Sequence, residues 1–174
     1  DRLIGYLFSA EGTLIQGLYV YDVQAGEHRA VWIPVMEGAP GDASLPAEER
    51  LRRERARVLV TGVTQFAWTG QGQQMLVPHS GGLYVIDAPG ASPRLLIAGQ
   101  GKAILDPQAS PDGSPIAYVQ DAELYVVPTA GGVARQLSFG AREAGVSHGL
   151  AEYVAQEEMR RFRGYWWSPD SQWL

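Results

Sequence analysis

The chain has 174 residues, contains no cysteine and carries a formal net charge of −5 at pH 7. Without cysteine, disulfides, thiolate metal sites and cysteine nucleophiles are excluded, while the acid excess argues against a nucleic-acid partner. No apolar run approaches the roughly 18 residues of a membrane span, so no membrane segment is predicted. The three histidines, His28, His79 and His148, lie far apart, and neither a metal nor another cofactor is predicted.

One strand phrase recurs along the chain: LYVYD at 18–22, LYVID at 83–87 and LYVVP at 124–128. The last two copies are 41 positions apart, and turn phrases precede them at the same interval, WTGQG at 68–72 and ASPDG at 109–113. Proline fixes φ and glycine permits positive φ, so these phrases predict turns. Four short strands in about 40 residues are typical of a propeller blade. A β-sandwich would explain the alternation but not the recurrence.

The sequence therefore predicts an all-β fold, a β-propeller of four-stranded blades with about three blades over residues 1–174. Two insertions interrupt the repeats, at about 38–57 and about 142–163. The chain begins with Asp1 and stops within a strand-like pattern at Leu174, so we expect it to be part of a longer protein. Trp68, Trp167 and Trp173 are expected to pack between blades.

The first insertion ends in a charged stretch, AEERLRRERAR, at 47–57. Pro46 before it, acids at its start and arginines toward its end match the polarity of a helix dipole. Its apolar stripe is thin, so an exposed helix is predicted. The arginines favour a solvated face with Glu–Arg pairs. Their forked donors would nonetheless suit a peptide carbonyl if one of them faced a cavity.

The second insertion lengthens the interval between turn phrases from 41 to 58 residues (Ala109 to Trp167). A loop over 145–149 leads into a predicted helix over 150–161 that carries Glu157 and Glu158. Adjacent helical residues point about 100° apart, which is typical of two solvated acids. Nearby aromatic and arginine side chains favour a semi-enclosed pair instead. Such a pair suits a cation with several N–H donors, for example the free amino terminus of a peptide.

Local hydrolytic chemistry is not predicted. Ser80 follows His79, but the chain has no G-x-S-x-G elbow, and sequence neighbours rarely form a catalytic pair.

The stretch from QEEM at 156–159 to GYWW at 164–167 resembles the double-glutamate motif of dipeptidyl peptidase IV-type serine peptidases, in the prolyl oligopeptidase family. The arginine-rich stretch at 48–57 resembles the corresponding helix of the dipeptidyl peptidase 8 and 9-like branch and of bacterial relatives. The two motifs are about 100 residues apart and in the family's order, and with the repeats the resemblance covers residues 46–174.

This resemblance implies an eight-bladed propeller that caps an α/β-hydrolase domain, whose catalytic triad would lie beyond Leu174. In the family, two glutamates bind the substrate ammonium and a propeller arginine contacts a substrate carbonyl. The substrate-binding residues implied here are Glu157, Glu158 and Arg57, with Arg53, Arg55, Tyr153 and Phe162 as weaker candidates. An acid common in the family after the methionine position is replaced by Arg160. No catalytic residue is expected in this chain, and alone it should lack peptidase activity.

The function implied is substrate recognition and gating for a serine exopeptidase that releases N-terminal Xaa-Pro or Xaa-Ala dipeptides. The partners implied are peptides with a free N-terminus, the C-terminal hydrolase domain of the same protein and a second copy in a homodimer. A cytoplasmic location is expected, with a periplasmic or secreted one left open. The alternatives are a non-enzymatic propeller that binds proteins and an inactive peptidase homologue.

Overall fold

A computed structural model describes residues 2–10, 13–34, 46–55, 60–69 and 72–174. Over these ranges the chain forms mostly short strands with three short helices. In chain order the strands are β1 (Leu3–Phe8), β2 (Ile15–Asp22), β3 (Glu27–Trp32), β4 (Thr61–Gly62), β5 (Ala67–Trp68), β6 (Met75–His79), β7 (Gly82–Ile86), β8 (Arg94–Ala98), β9 (Leu105–Ala109), β10 (Pro115–Gln120), β11 (Glu123–Pro128) and β12 (Arg135–Gln136). The helices are α1 (Ala47–Arg55), α2 (Ala141–Ala144) and α3 (Tyr153–Met159).

The strands form three successive four-stranded sheets, which we call blades 1 to 3. Blade 1 has the order β1-β2-β3, and β4 pairs in parallel with the start of β2. Blade 2 (β5 to β8) and blade 3 (β9 to β12) are antiparallel meanders. The recurring Leu-Tyr-Val phrase forms β2, β7 and β11, the equivalent strand of each blade, so the predicted repeat is the structural repeat.

Alternate residues of the central strands supply two different cores. In β6, Met75 and Val77 pack toward blade 1, whereas Leu76 packs toward blade 3. In β10, Tyr118 packs toward blade 2 while Val119 packs with Tyr165, beyond blade 3. A strand buried on both faces reads as a continuous apolar run, which explains why these segments do not alternate with polar residues.

A bulge recurs at one position of the repeat. The register of β2 against β3 shifts between Leu18 and Tyr19, and that of β7 against β8 shifts between Leu83 and Tyr84. Because a bulge increases local twist, two blades acquire extra twist at the same point. The Leu-Tyr pair of the recurring phrase thus marks the position of the bulge in blades 1 and 2, so it affects the twist of these blades as well as their packing.

The two helical insertions occur where the sequence predicts them. Helix α1 matches the predicted helix at its start, where the Arg50 N–H donates to the Pro46 carbonyl (3.0 Å). Helix α3 is shorter than the predicted helix over 150–161, and the short α2 was not predicted. Its flanking glycines, Gly140 and Gly145, both adopt positive φ and limit it to four residues.

Two of the three tryptophan predictions are confirmed. Trp68 packs against the core between blades 1 and 2, and Trp167 packs beside Val119 and donates from Nε1 to the Gln108 carbonyl (3.2 Å). The prediction for Trp173 is wrong, because 74% of this residue is exposed. Across the described residues, none of the helices has the length and apolar character needed to cross a membrane.

Candidate functional site

The insertion that carries the glutamate pair stands on a narrow backbone neck. Leu150 and Arg163 form an isolated antiparallel bridge, and the Ala151 N–H donates to the Phe162 carbonyl (3.2 Å). Gly164 lies so close to the opposite strand that a Cβ there would be 2.5 Å from the Leu150 carbonyl carbon. Residue 164 must therefore be glycine for the neck to form. The neck closes residues 151–162 into a loop.

Helix α3 is fixed to this neck by polar groups at both ends. The Glu152 carboxylate accepts from the N–H groups of Val154 and Ala155, each at 2.7 Å, and caps the helix. The Gln156 amide donates to the Ala151 carbonyl (2.7 Å), and Arg160, with φ of 50°, ends the helix. Glu152 was not predicted as a cap, because glutamate is not among the preferred N-cap residues Ser, Thr, Asp, Asn and Gly.

Glu157 and Glu158 lie in the last turn of α3, and both residues are exposed. The expected semi-enclosed pair is therefore not present in the described part of the chain. The C-terminal end of a helix carries partial negative charge, which disfavours acids, and α3 has no basic residue in its last turn. The pair thus concentrates negative potential at a position where it does not stabilise the helix.

The aromatic candidates lie at the two ends of the insertion. Tyr153 begins α3 and is 61% exposed, whereas Phe162 is half-buried beside the neck. Met159 and Trp166 are also largely exposed. The glutamates therefore share the surface of the insertion with several apolar side chains.

The arginine-rich helix contacts blade 2. Arg53 is half-buried and lines a small cavity together with the β6–β7 turn, including Ser80 and Gly81. Burial lowers the pKa of His79 in the same cavity wall, a hydrogen bond to the Gly62 carbonyl opposes this change, and the Arg53 charge adds to it. The side chain of Arg55 and the whole of Arg57 lie outside the described residues.

Ser80 and His79 are in fact hydrogen-bonded, with Oγ 3.0 Å from Nε2. The other ring nitrogen, Nδ1, is 3.1 Å from the Gly62 carbonyl oxygen. Because a carbonyl can only accept, Nδ1 carries the proton and Nε2 accepts from the serine hydroxyl. The partner of the ring is a carbonyl rather than a carboxylate, and the imidazole also packs against Trp32, so these contacts hold blade 2 to blade 1.

Both insertions lie over the same face of the stacked blades. Arg53 of α1 borders one cavity together with the β6–β7 turn at Ser80 and Gly81. The segment 138–148 bonds to the β10–β11 turn, where the His148 N–H donates to the Ala122 carbonyl (2.8 Å). These turns are equivalent in the repeat, since Gly81 and Ala122 are 41 positions apart. Equivalent turns of neighbouring blades lie at the same end of the propeller.

A second cavity, of about 180 Å³, links the neck of the insertion to blade 2. It is lined by Gln65, Phe66, Ala67, Leu76, Pro78, Asp106, Pro107 and Arg163. Pro78 also lines the cavity that contains Arg53. Arg53 of α1 and Arg163 of the neck thus both lie beside the β6–β7 hairpin of blade 2.

We predict that Gly164→Ala opens the neck. The added Cβ would overlap backbone atoms, which cannot rotate away, and overpacking of this kind costs about 1–3 kcal/mol. Hydrogen exchange of the Ala151 amide, which bonds across the neck, should become faster. Gly26→Ala is the control: its φ of 70° strains an alanine locally, but a Cβ there meets nothing within 4 Å and it lies in the β2–β3 turn of blade 1, so the exchange of Ala151 should stay unchanged. Unchanged protection of Ala151 in the Gly164 variant would show that the neck tolerates a methyl group.

Comparison with known structures supports the predicted propeller fold. The structure of Porphyromonas gingivalis dipeptidyl peptidase 4 aligns with 96% of this chain and 22% of its own length, with a TM-score of 0.60 and 15% identity. A putative TolB from Agrobacterium tumefaciens aligns with 80% of the chain and 43% of its own, with a TM-score of 0.51 and 14% identity. At these identities the likeness shows the fold alone, and the predicted all-β propeller is confirmed.

The sequence comparisons identify the family. The family model described as the dipeptidyl peptidase IV N-terminal region matches residues 66–174, well over half of the chain. The chain belongs to this family, and it is an N-terminal propeller region of the dipeptidyl peptidase type.

Curated relatives agree with this assignment. Human dipeptidyl peptidase 8 is 26% identical over 140 residues, which cover 72% of this chain and 16% of the relative. Human prolyl endopeptidase FAP is 35% identical over 66 residues, covering 37% of this chain and 9% of the relative. The chain thus spans only a small part of the length of these relatives.

Proposed function

We propose that this chain is the substrate-recognition and gating propeller of a serine exopeptidase that releases N-terminal dipeptides. The observation that carries the proposal is the position of Glu157 and Glu158. Both are exposed in the last turn of a capped helix, on an insertion fixed over the same propeller face as the arginine helix. Membership of the dipeptidyl peptidase IV N-terminal family supports it.

The proposed chemistry of recognition is charge-assisted hydrogen bonding. A peptide ammonium has three N–H donors, and two carboxylates offer more than enough acceptor positions. Glu157 and Glu158 point in different directions from the helix, so the ammonium would be held between their distal oxygens. An N-acylated peptide has neither the charge nor the three donors, so it would be rejected.

Anchoring the amino terminus determines which bond is cleaved. The distance from the ammonium to the reactive serine becomes fixed, so that only a dipeptide fits between them. Arg57 is the proposed contact to a substrate carbonyl, with Arg53 and Arg55 as further candidates on α1. Arg53 supports this role by its position in a cavity wall, and its forked donors suit a carbonyl group. Tyr153 and Phe162 would border the bound peptide.

The rest of the proposal concerns the whole protein. A C-terminal α/β-hydrolase domain would supply the nucleophile and the pocket that prefers proline or alanine in the second position. Peptides with a free N-terminus would be substrates, and a second copy of the protein would form a homodimer. The cytoplasmic location expected from the resemblance stays a prediction.

The test is cleavage of a Gly-Pro chromogenic substrate by the full-length protein, with its N-acetylated form in parallel. We expect the free amine to be cleaved and the acetylated form to be resistant. Equal cleavage of both would contradict recognition of the ammonium. Absence of cleavage of either, in a folded protein, would favour a non-enzymatic propeller or an inactive homologue.

A further inference from the structure

One buried carboxylate holds the segment that leads into the glutamate insertion. Glu123 begins β11 and is 7% exposed. Its Oε2 accepts from the Ser138 hydroxyl (2.6 Å) and lies 2.9 Å from His148 Nδ1. Its Oε1 accepts from the Ala141 N–H (2.7 Å). Three groups from the segment 138–148 thus converge on one side chain of blade 3.

These contacts join the two ends of that segment. Ser138 and Ala141 lie where the chain leaves blade 3, and His148 lies where the chain returns to it. The next residue, Gly149, has φ of 84° and packs closely against Val119. Leu150 then begins the neck that carries α3. The direction in which the insertion leaves blade 3 is therefore set at His148 and Gly149, next to Glu123.

The carboxylate is ionised in this position. Burial raises the pKa of Glu123, but the hydrogen bonds from Ser138, Ala141 and His148 together outweigh burial and hold it below its usual range. A buried charged group is weak evidence for stability, because desolvation offsets most of its attraction. Its directional bonds nevertheless specify one geometry, which a hydrophobic contact in the same place would not do.

We propose that Glu123 is a positioning residue that sets the orientation of the insertion and thereby the place of Glu157 and Glu158 over the propeller face. This inference rests on the proposed function, since it concerns the same substrate-binding site. Glu123 does not itself contact the substrate. It acts by holding both ends of the segment 138–148 to blade 3.

The experiment measures KM and kcat of the full-length protein for a free-amine Gly-Pro chromogenic substrate. Glu123→Gln keeps the shape but removes the charge and places an N–H donor where an acceptor is needed. We expect kcat/KM to fall about tenfold, mostly through a rise in KM, because a misplaced ammonium site holds fewer substrate molecules in the productive position. Glu123→Asp, which keeps the charge, should recover part of the loss.

A double-substitution cycle separates positioning from general stability. Once Glu157→Gln has weakened the ammonium site, adding Glu123→Gln should raise KM only slightly further. Fully multiplicative effects would overturn the inference. Asp22→Asn is the matched control, because Asp22 is also a buried carboxylate (3% exposed) that accepts from Arg2 (2.8 Å) and from the Gln24 N–H (3.0 Å), but it ends β2 in blade 1. It should leave KM unchanged.

The outcomes distinguish this inference from the proposed function. If Glu157→Gln leaves KM unchanged, the proposed ammonium site is wrong. If Glu157→Gln raises KM but Glu123→Gln behaves like Asp22→Asn, positioning by Glu123 is wrong. If Glu123→Gln does not fold, Ser138→Ala replaces it, since that change removes one of the three donors to Glu123, together with the acceptor of the Leu124 N–H (2.9 Å). A rise in KM of about threefold is then expected, and an unchanged KM overturns the inference.

Discussion

Replacing both Glu157 and Glu158 by glutamine in the full-length protein should lower kcat/KM for free-amine dipeptide substrates by about 10² to 10³. Glutamine keeps the size of each side chain but removes its charge. A hydrogen bond to a charged group contributes about 1.5–3 kcal/mol, and 1.4 kcal/mol corresponds to a factor of ten. Both glutamates are exposed, so solvent screening keeps the expected sum nearer the lower end for each residue. Each single substitution should produce a smaller part of the loss.

The matched control for the glutamate pair is Glu143→Gln. Glu143 is also exposed but lies in α2, in the segment 138–148 that precedes α3. It should change kcat/KM by less than about twofold, because a solvated charge away from the ligand is strongly screened. An equal loss in the Glu143 variant would indicate a general electrostatic effect. Full activity of the doubly substituted protein would contradict recognition of the ammonium by these residues.

The parts of the fold that sequence predicts here depend on local patterns. Strands β7 and β11 form from the recurring phrase, and the turn phrases upstream of them, at 68–72 and 109–113, contain glycine, with proline as well in the second. Helix α1 follows from Pro46 and the order of acids and arginines along 47–55. Each of these signals acts within about one turn or one hairpin, where intrinsic conformational preference and side-chain periodicity decide the structure.

The parts that sequence missed depend on distant partners. Glu123 binds Ser138, Ala141 and His148, which follow it by 15, 18 and 25 positions. A glutamate at the start of a strand gives no local sign of such partners. Helix α3 likewise ends early because Arg160 adopts positive φ and because residues 161–163 are used by the neck. Helix-favouring composition predicts neither event.

The glutamate pair shows a different limit. Its place on a helix in the second insertion could be predicted, but its enclosure could not, because exposure depends on which surfaces lie nearby. The common face of the two insertions also needed the structure. The 41-residue interval makes Gly81 and Ala122 equivalent, yet only the contacts made by Arg53 and His148 show that both insertions use these turns.

Tyr165 should be among the residues whose loss costs most stability. It is 5% exposed and packs against Ala117 and Val119 of β10. Its hydroxyl bonds to the Ala117 carbonyl (2.8 Å) and to the Asp106 carbonyl. Burial raises the pKa of this hydroxyl, which therefore remains a donor at all ordinary pH values. Tyr165→Ala should lower the free energy of unfolding by about 3–5 kcal/mol, the usual range for a buried aromatic residue.

Two further variants divide this loss into its causes. Tyr165→Phe keeps the ring but removes the single O–H that the two carbonyls share, so about 1–3 kcal/mol should be lost. Trp166→Ala removes a neighbouring aromatic residue that is 58% exposed, and it should cost less than about 1 kcal/mol. Chemical unfolding of the three variants and the parent measures these differences. Gly149, just before the neck, packs on the Tyr165 ring. Tyr165→Ala should therefore loosen the attachment of the insertion to blade 3 and also raise KM for free-amine substrates. A Tyr165→Ala variant as stable as Trp166→Ala would show that this ring does not hold the insertion to blade 3.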